Sequence, residues 1–518
     1  MPGLSYPISR RRFVADAGKA VAGLMVGPAL LAGDLAHPVP RPGPDEPLPA
    51  DLFPLGVASG DPAPDGVVLW TRLAPDRMPA RTVEVRWEVA HDERFTRLAA
   101  SGTAPAAPRL GHSVHVEVGG LDPHRWYFYR FLAGGEASET GRTRTAPAPG
   151  VRTVRFAFAS CQNYQAGYYT AYPHLVAEDV DLVAFLGDYI YEDRRDPDAL
   201  RQHDGTDEPY TLAAYRARYA HYKSDPELRR AHAAAPWVVT LDDHEVDNNW
   251  QGTGPQDPDK QTPDAFRSRR AAALQAWWEH LPLRRGALPR GPSARIFRRL
   301  TFGDLATLHV LDTRQYRSRH AGSIERANEQ SRTMTGGEQE RWLLDGLASS
   351  ATRWNLIANQ TQLASVDHEA GPGEWWEWDN WDGYRAQRRR LLERLATVAN
   401  PVVITGDRHA TWVSDLRPDF DRPDTPVVGA ELVGSSLTSE GDPDRDGFRR
   451  KWTPIMAESP HWRYIDNRRG YFVCDLTTEG LDATLRVVDT VRAPASPIAT
   501  AGRFHVAAGV RGISGVAA

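Results

Sequence analysis

The chain has 518 residues, of which 41% are hydrophobic and 25% charged, and its formal net charge is −5. This length allows two or more domains with substantial cores, and the composition is that of an ordinary globular protein. A mildly acidic chain gives no electrostatic reason to expect nucleic-acid recognition or a polybasic membrane anchor. The two cysteines, Cys161 and Cys474, are too few for a disulfide scaffold in a chain of this size.

Residues 1–36 have the pattern of a twin-arginine export signal. The segment SRRRFV, residues 9–14, precedes a weakly apolar run over residues 15–32, which Asp16 and Lys19 interrupt. Such a run is a poor membrane span but is typical of an export signal. We therefore expect the twin-arginine machinery to export the protein, to the extracellular space or the cell wall, without a stable membrane anchor. An arginine-rich tail without a targeting role is the alternative.

Residues 37–50 form a proline-rich linker, and a β-rich segment follows over residues 51–146. Alternating apolar and polar residues predict four antiparallel strands, at Val67–Thr71, Val83–Val89, Ser113–Val118 and Trp126–Leu132. About 95 residues of this kind, without a helix-length amphipathic pattern, predict an N-terminal immunoglobulin/fibronectin-like β-sandwich. The segment APAPG, residues 146–150, predicts an interdomain linker.

From residue 151 to 518 the pattern changes to strands that alternate with helices. Helices are predicted at Pro263–His280 and Gly337–Leu347, and Thr335 and Glu338 have the spacing of a capping box for the second. Apolar runs predict the strands, at residues 154–159, 182–186, 237–241, 305–311, 354–358 and 402–405. This alternation predicts a layered α/β domain with a cleft at one edge of its sheet, followed by a C-terminal tail.

Four short polar segments, each just after a predicted strand, carry side chains that bind metals. They are FASC (158–161), GDYIY (187–191), DDHE (242–245) and GDRH (406–409). Taken singly, each fits ordinary structure: a buried thiol, a turn aspartate beside a packed tyrosine, a solvated acidic turn or a surface loop. Because the carboxyl ends of strands meet in one crevice, the four together predict a two-metal site for hydrolysing phosphate esters.

The residue types in these segments suit that chemistry. A carboxylate such as Asp188 has two oxygens and can bridge two cations, and Fe³⁺ is acidic enough to hold a tyrosine such as Tyr191 as phenolate. Beside a metal-bound aspartate, His244 can contact a phosphoryl oxygen or protonate the leaving alkoxide. Asp407 and His409 lie two residues apart just past a strand, so that both can reach the same crevice.

The order of these segments resembles the alkaline phosphatase D family, the PhoD-like phosphatases and phosphodiesterases of the calcineurin-like metallophosphoesterases. The resemblance extends from about residue 51 to about residue 490. Further matching segments are LGVASGDPAPDGVVLWTRL (55–73), LDTRQYRS (311–318), WNLIANQT (354–361), NWDGYRAQR (380–388), ELVGSSLTSEG (431–441) and RRGYFVCDL (468–476). The resemblance implies a metallophosphoesterase sandwich domain behind the N-terminal β-sandwich.

The resemblance also implies a first metal site. Cys161 replaces the D-x-H segment with which the wider superfamily begins, and Tyr191 corresponds to the tyrosine that binds ferric iron. Asp188 is implied to bridge the two metals, and His409 keeps the second histidine of the closing G-H-x-H segment. Thiolate, phenolate, carboxylate and imidazole together suit Fe³⁺.

For the second metal, Asp243 replaces the usual asparagine ligand and Asp407 replaces the first histidine of the closing segment. Asn359 lies near the position of a further histidine ligand, and His244 keeps the position of the catalytic histidine. Oxygen ligands suit a hard cation such as Ca²⁺ better than Zn²⁺. We therefore expect Fe³⁺ and Ca²⁺ in a binuclear or larger centre, in agreement with the iron-plus-calcium site for which the family is known.

These observations predict a secreted, metal-dependent phosphodiesterase and alkaline phosphatase that acts as a monomer on phosphate esters. In the implied mechanism a metal-bound hydroxide attacks phosphorus while His244 assists the leaving group. A phospholipase D acting on phospholipid head groups is the alternative, in which tryptophans would meet the lipid or line the cleft, namely Trp375, Trp376, Trp378 and Trp381. A non-catalytic exported binding protein is the third possibility.

Overall fold

The computed structural model describes residues 48–74, 77–205 and 207–517. The predicted export signal and most of the predicted linker therefore lie outside the described residues. Within these three ranges, 22 strands form three sheets, and eight α-helices pack around them. None of the helices in these ranges is both long and apolar enough to cross a membrane.

The strands are numbered in chain order: β1 Val57–Ala63, β2 Gly66–Arg72, β3 Val83–Ala90, β4 Leu98–Ala106, β5 Ser113–Val118, β6 Trp126–Ala133, β7 Glu136–Ala137, β8 Gly141–Arg144, β9 Thr153–Ala159, β10 Leu182–Phe185, β11 Trp237–Val239, β12 Arg298–Phe302, β13 Ala306–Val310, β14 Trp354–Asn359, β15 Pro401–Thr405, β16 Thr411–Leu416, β17 Gly429–Val433, β18 Trp462–Asp466, β19 Gly470–Thr477, β20 Gly480–Val488, β21 Ile498–Ala507 and β22 Gly515–Ala517. The α-helices are α1 Tyr172–Ala177, α2 Leu212–Lys223, α3 Pro226–Ala234, α4 Pro263–His280, α5 Ile324–Ala327, α6 Gly336–Ala348, α7 Arg385–Leu395 and α8 Arg445–Glu458.

Two of the sheets build the layered core of the α/β region. The first has ten strands in the order β22-β21-β20-β19-β9-β10-β11-β1-β2-β5, and the second has seven in the order β12-β13-β14-β15-β17-β16-β18. One hydrophobic cluster contains side chains from both sheets, among them Phe156, Ala184, Leu356 and Ile404. Because apolar side chains from the two sheets share this core, the sheets lie face to face.

The middle of each large sheet is parallel. Strands β9, β10 and β11 pair in parallel, as do β13, β14, β15 and β17. Except at Thr153 and Arg155 of β9, these strands are buried along their whole length, which is typical of parallel strands covered on both faces. Their carboxyl ends therefore point to one edge of the two-sheet core, where the four polar segments begin.

The N-terminal strands divide between two sheets. Strands β1, β2 and β5 extend the ten-stranded sheet, because β1 pairs in parallel with β11 at Gly60 and Trp237. The other five form a separate sheet, in which β4, β3, β6 and β7 follow one another and β8 pairs with β6. A common hydrophobic core joins the two groups, with Val67 and Leu69 from one and Val85 and Tyr129 from the other. The N-terminal segment thus shares a sheet with the α/β region.

Helices α4 and α6 have the predicted positions, and Thr335 is the N-cap residue of α6, but the predicted capping box does not form. Helix α4 begins after Thr262, whose hydroxyl accepts a hydrogen bond from Ala265 N. Thr335 precedes α6 but makes no side-chain cap hydrogen bond. Its hydroxyl instead accepts a hydrogen bond from Gln387 Nε2 at 2.7 Å. A tertiary contact with helix α7 therefore replaces the local capping box.

A buried lysine lies where the N-terminal strands meet helix α2. The Nζ atom of Lys223 lies 4.1 Å from the centroid of the Trp70 ring and 3.5 Å from the hydroxyl of Tyr189. Lys223 is buried, and burial lowers its pKa from 10.5 to about 7. The folded state therefore favours the neutral amine at pH values where the unfolded chain carries a charged one.

Replacing Lys223 by methionine tests this contact. Between about pH 7 and 10 the unfolded wild-type chain binds a proton that the folded chain does not. Over that range the free energy of unfolding of the wild type should rise relative to that of Lys223→Met by roughly 1.4 kcal/mol per pH unit, and below it the difference should be constant. Denaturant titrations at several pH values measure this difference. Lys260→Met, at an exposed site, is the control, and an equal rise there would contradict the prediction.

Candidate metal centre

The four polar segments begin at aligned strand ends. The register pairs Ala159 with Phe185 and Phe185 with Val239, so Cys161 and Asp188 follow neighbouring strands within two or three residues. Backbone hydrogen bonds continue past the strands, from Cys161 N to Gly187 O at 3.1 Å, for example. In the second sheet Asp407 follows β15 in the same way. The sheets thus bring segments that are distant in sequence to one place.

Four of the predicted metal ligands have a left-handed backbone, which is uncommon for residues other than glycine. Their φ angles are 59° for Cys161, 56° for Asp188, 67° for Asp407 and 50° for His409. The glycine before Asp188 is also required, because a Cβ atom on Gly187 would lie 2.4 Å from the Cβ of Asp242. The backbone is bent at these positions so that the side chains point into the crevice between the sheets.

The first pocket consists of Cys161, Asp188, Tyr191 and His409. The ligand atoms of Cys161, Asp188 and His409 all lie within 4.8 Å of one another. The hydroxyl of Tyr191 lies 3.1 Å from Asp188 Oδ2 and 3.0 Å from His409 Nε2. The Ser439 hydroxyl donates to the same tyrosine oxygen at 2.7 Å. The structure therefore brings together the four side chains that were predicted for the first site.

The second pocket consists of Asp242, Asp243 and Asp407. Their ligand atoms also lie within 4.8 Å of one another, and a further group of Asp188, Asp243 and His244 connects this pocket to the first. Asp188 thus belongs to groups on both sides, which fits a bridging role. Asp242 was quoted in the DDHE segment but not predicted as a ligand.

Buried atoms in the second pocket lack partners that a cation would supply. Asp242 Oδ2 is buried and forms no hydrogen bond, whereas Asp243 Oδ1, also without a hydrogen bond, lies 3.3 Å from Arg314 Nη2. Leaving a buried carboxylate oxygen without a partner is costly. Since oxygen donors suit hard divalent cations, the residues present fit such a cation. The thiol, phenol, carboxylate and imidazole of the first pocket fit a more acidic transition metal.

Protonation of the first pocket is consistent with cation binding. Burial, followed by the charge of Asp188, raises the pKa of Cys161 and of Tyr191 well above their usual values. Burial and the charge of Asp243 likewise raise the pKa of Asp188. These shifts favour the protonated forms, and a bound cation would favour deprotonation.

Arg314 is a functional residue that the sequence analysis quoted, in LDTRQYRS, without giving it a role. Its guanidinium is fully buried. It forms ion pairs with Asp242, with Asp243 at 3.3 Å, with Asp379 at 2.7 Å and with Asp407 at 3.5 Å. The arginine offsets part of the negative charge of the second pocket. A buried cation of this kind has no periodic sequence signal, so only the structure reveals it.

Glu245, the last residue of DDHE, holds two of the ligand segments together. Its carboxylate accepts hydrogen bonds from Asp188 N at 3.1 Å, Tyr189 N at 2.6 Å and Asp242 N at 2.7 Å. It does not belong to either pocket. Burial raises the pKa of Glu245 to about 8. Its role is to fix the backbone from which Asp188 and Asp242 project.

Asn359 and Trp381 have side chains that are occupied by contacts other than those predicted for them. Trp381 Nε1 donates to Asn359 Oδ1 at 3.3 Å, and the amide nitrogen of Asn359 donates to Thr361 O and, at 3.4 Å, to Thr405 Oγ1. The Asn359 side chain is thus already bonded, and its assignment as a ligand stays a prediction. Trp381 was predicted to line a cleft, but it is buried in a hydrophobic core.

Comparison with known proteins agrees with this geometry. Residues 156–485 match the family model for the PhoD-like phosphatase, and residues 40–147 match that for the PhoD-like phosphatase N-terminal domain. The chain belongs to the PhoD-like phosphatase family. It is 44% identical to alkaline phosphatase D of Bacillus subtilis (strain 168) over 516 residues, which cover 96% of this chain and 87% of that protein. A solved structure of PhoD superposes with a TM-score of 0.86 at 43% identity, covering 91% of this chain and 93% of that one.

Membership of the PhoD-like phosphatase family makes the chain a hydrolase of phosphoric esters. The predicted family resemblance is therefore confirmed, and so is the predicted class of reaction. The clusters described above are candidate metal-ligand groups of this PhoD-like chain.

Glu245→Gln tests the link between the two ligand segments. An amide group cannot accept hydrogen bonds from all three backbone N–H groups, so at least one buried donor loses its partner. We expect a loss of about 1–3 kcal/mol in the free energy of unfolding and a lower metal content after dialysis, because Asp188 is no longer held in place. Denaturant titration and elemental analysis measure the two effects. Glu393→Gln, at an exposed position, should change neither, and a Glu245→Gln protein with wild-type stability and metal content would refute the role.

Proposed function

We propose that the chain is an exported phosphodiesterase and phosphomonoesterase with a centre of iron and calcium. The observation that carries the proposal is the convergence of a thiol, a phenol, an imidazole and several carboxylates in one crevice, with Asp188 between the two pockets. Such a donor set has few structural uses apart from binding two unlike cations. His244 beside it supplies a proton donor for the leaving group.

The charges of the two pockets support Fe³⁺ in the first and Ca²⁺ in the second. Cys161, Tyr191 and Asp188 carry three negative charges when deprotonated, which matches a trivalent cation. The three aspartates of the second pocket also carry three negative charges, of which Arg314 offsets one. The remaining two match a divalent cation with oxygen ligands.

The residues of the chain divide the chemical work. When bound, the two cations would neutralise the phosphoryl charge and make hydroxide available from water near neutral pH. His244 N donates to Asp188 Oδ1 at 3.4 Å, a contact that supports the roles proposed for these two residues. Burial alone would lower the pKa of His244, but Glu192, Asp188 and Asp243 raise it well above its usual value. A proton held on His244 in this way can pass to the departing alkoxide.

Export by the twin-arginine machinery, location outside the cell or in the cell wall, and a monomeric state are part of the proposal. They rest on the N-terminal segment and on the composition. The N-terminal strands are proposed to be an immunoglobulin-like sandwich, which their shared core supports. Phospholipase D activity is the second candidate, favoured by Trp375, a large apolar residue that is 38% exposed.

Turnover of three substrates tests the proposed function. We expect the metal-loaded protein to hydrolyse bis(p-nitrophenyl) phosphate and p-nitrophenyl phosphate, and to release choline from phosphatidylcholine vesicles far more slowly. Faster turnover of the vesicles would favour the phospholipase D instead. Protein that retains its metals but hydrolyses none of the three substrates would contradict the proposed enzymatic activity. The remaining hypothesis would then be a non-catalytic exported binding protein.

Colour tests the proposed metals. Iron bound by phenolate and thiolate absorbs visible light by charge transfer, so the purified protein should be coloured and should contain iron and calcium. Tyr191→Phe should lose or shift this absorption band, since Tyr191 is the predicted phenolate. Tyr316→Phe removes a partly exposed tyrosine outside both pockets and serves as the control. A colourless and fully active protein containing only zinc would overturn the assignment.

A further inference from the structure

Glu192 follows the predicted iron ligand Tyr191 directly and contacts the predicted catalytic histidine. Its Oε2 atom lies 2.7 Å from His244 Nδ1. Both side chains are largely buried, with 2% of Glu192 and 14% of His244 exposed. The contact commits Nδ1 of His244 to Glu192, so that Nε2 is the imidazole nitrogen left for the substrate.

The imidazole is held on a second side by the same segment of chain. The ring of His244 stacks on that of Tyr191, with centroids 4.0 Å apart and planes inclined by 26°. Tyr191 thus limits the tilt of the His244 ring, and Glu192 fixes its rotation. The short segment Tyr191–Glu192 therefore connects the metal pocket to the orientation of the histidine.

Glu192 is itself fixed by its neighbours. Its Oε1 atom accepts a hydrogen bond from Asn248 N at 2.7 Å. Glu192, Glu208 and Asp247 form an acidic group with metal-ligand spacing, but Arg269 binds Glu208 at 2.5 Å and Asp247 at 3.1 Å. The guanidinium of Arg269 thus already neutralises part of the charge of this acidic group. We read the oxygens of Glu192 as hydrogen-bond acceptors and not as metal ligands.

We propose that Glu192 is a positioning residue that holds the His244 imidazole with Nε2–H directed at the leaving oxygen. This inference rests on the proposed function of His244. As the bond between phosphorus and the leaving oxygen breaks and hydroxide bonds to phosphorus, the Nε2 proton passes to the leaving oxygen. His244 becomes neutral, keeps its Nδ1–H on Glu192, and regains the Nε2 proton from water.

Two aryl phosphodiesters that differ only in their leaving group test the proposal. A p-nitrophenolate leaves with little help, whereas an unsubstituted phenolate needs a proton. On the phenyl ester we expect His244→Ala to lose roughly 10²–10⁴-fold in kcat and Glu192→Gln roughly 10–100-fold. On the p-nitrophenyl ester both should lose only a few-fold, with KM and metal content unchanged. Glu192→Asp, which keeps the charge, should lose less than Glu192→Gln.

The double variant separates positioning from a structural role. If Glu192 acts through His244, the Glu192→Gln change should cost no further activity when His244 is already alanine. Glu208→Gln makes the same substitution in the neighbouring acid, which Arg269 binds, and should leave both rates unchanged. Equal losses on the two esters, additive losses in the double variant, or loss of metal would overturn the proposal. A wild-type protein that hydrolyses neither ester would instead refute the proposed function.

Discussion

Carboxylates brought together in a buried crevice repel one another, and this constraint governs the rest of the site. Asp188, Asp242 and Asp243 are all nearly inaccessible to solvent. Their mutual repulsion and their desolvation are unfavourable unless cations or protons compensate. Arg314 compensates in part, and it is fully buried in doing so. The remaining negative charge explains why the crevice is suited to cations and, through them, to a phosphoryl group.

The fold keeps the buried carboxylates close together because several independent contacts fix the backbone that carries them. Parallel strands of two packed sheets end at the same edge, and the ligand residues follow them in left-handed conformations. Glu245 fixes two of the ligand segments through three backbone hydrogen bonds, and Ser439 holds the Tyr191 hydroxyl. Strain of this kind persists only where the surrounding structure supports it. The large shared core between the sheets provides that support.

Much of the site is predictable from sequence because its signals are local. An apolar run that ends in Cys161, Asp188 or Asp407 places the side chain at a strand end, and strand ends converge. Local sequence patterns do not predict contacts between residues that are distant in sequence. The pairing of β1 with β11 joins the N-terminal strands to the larger sheet. The alternation of apolar and polar residues within either strand does not predict this pairing. For the same reason the capping box at Thr335 was predicted wrongly, since its hydrogen-bond partner Gln387 lies in a later helix. Arg314 and Glu245 lie inside quoted segments, LDTRQYRS and DDHE, but the sequence alone does not show which groups they contact.

The most direct test is diffraction from crystals of the native protein, with anomalous differences collected above and below the iron absorption edge. The central claim is that one trivalent and one divalent cation compensate the buried carboxylates. It predicts an iron peak in contact with Cys161 Sγ, the Tyr191 hydroxyl oxygen and His409 Nε2, and a lighter cation beside Asp243 and Asp407. Ordered crevice side chains with no anomalous peak among them, in protein that is fully active, would contradict it.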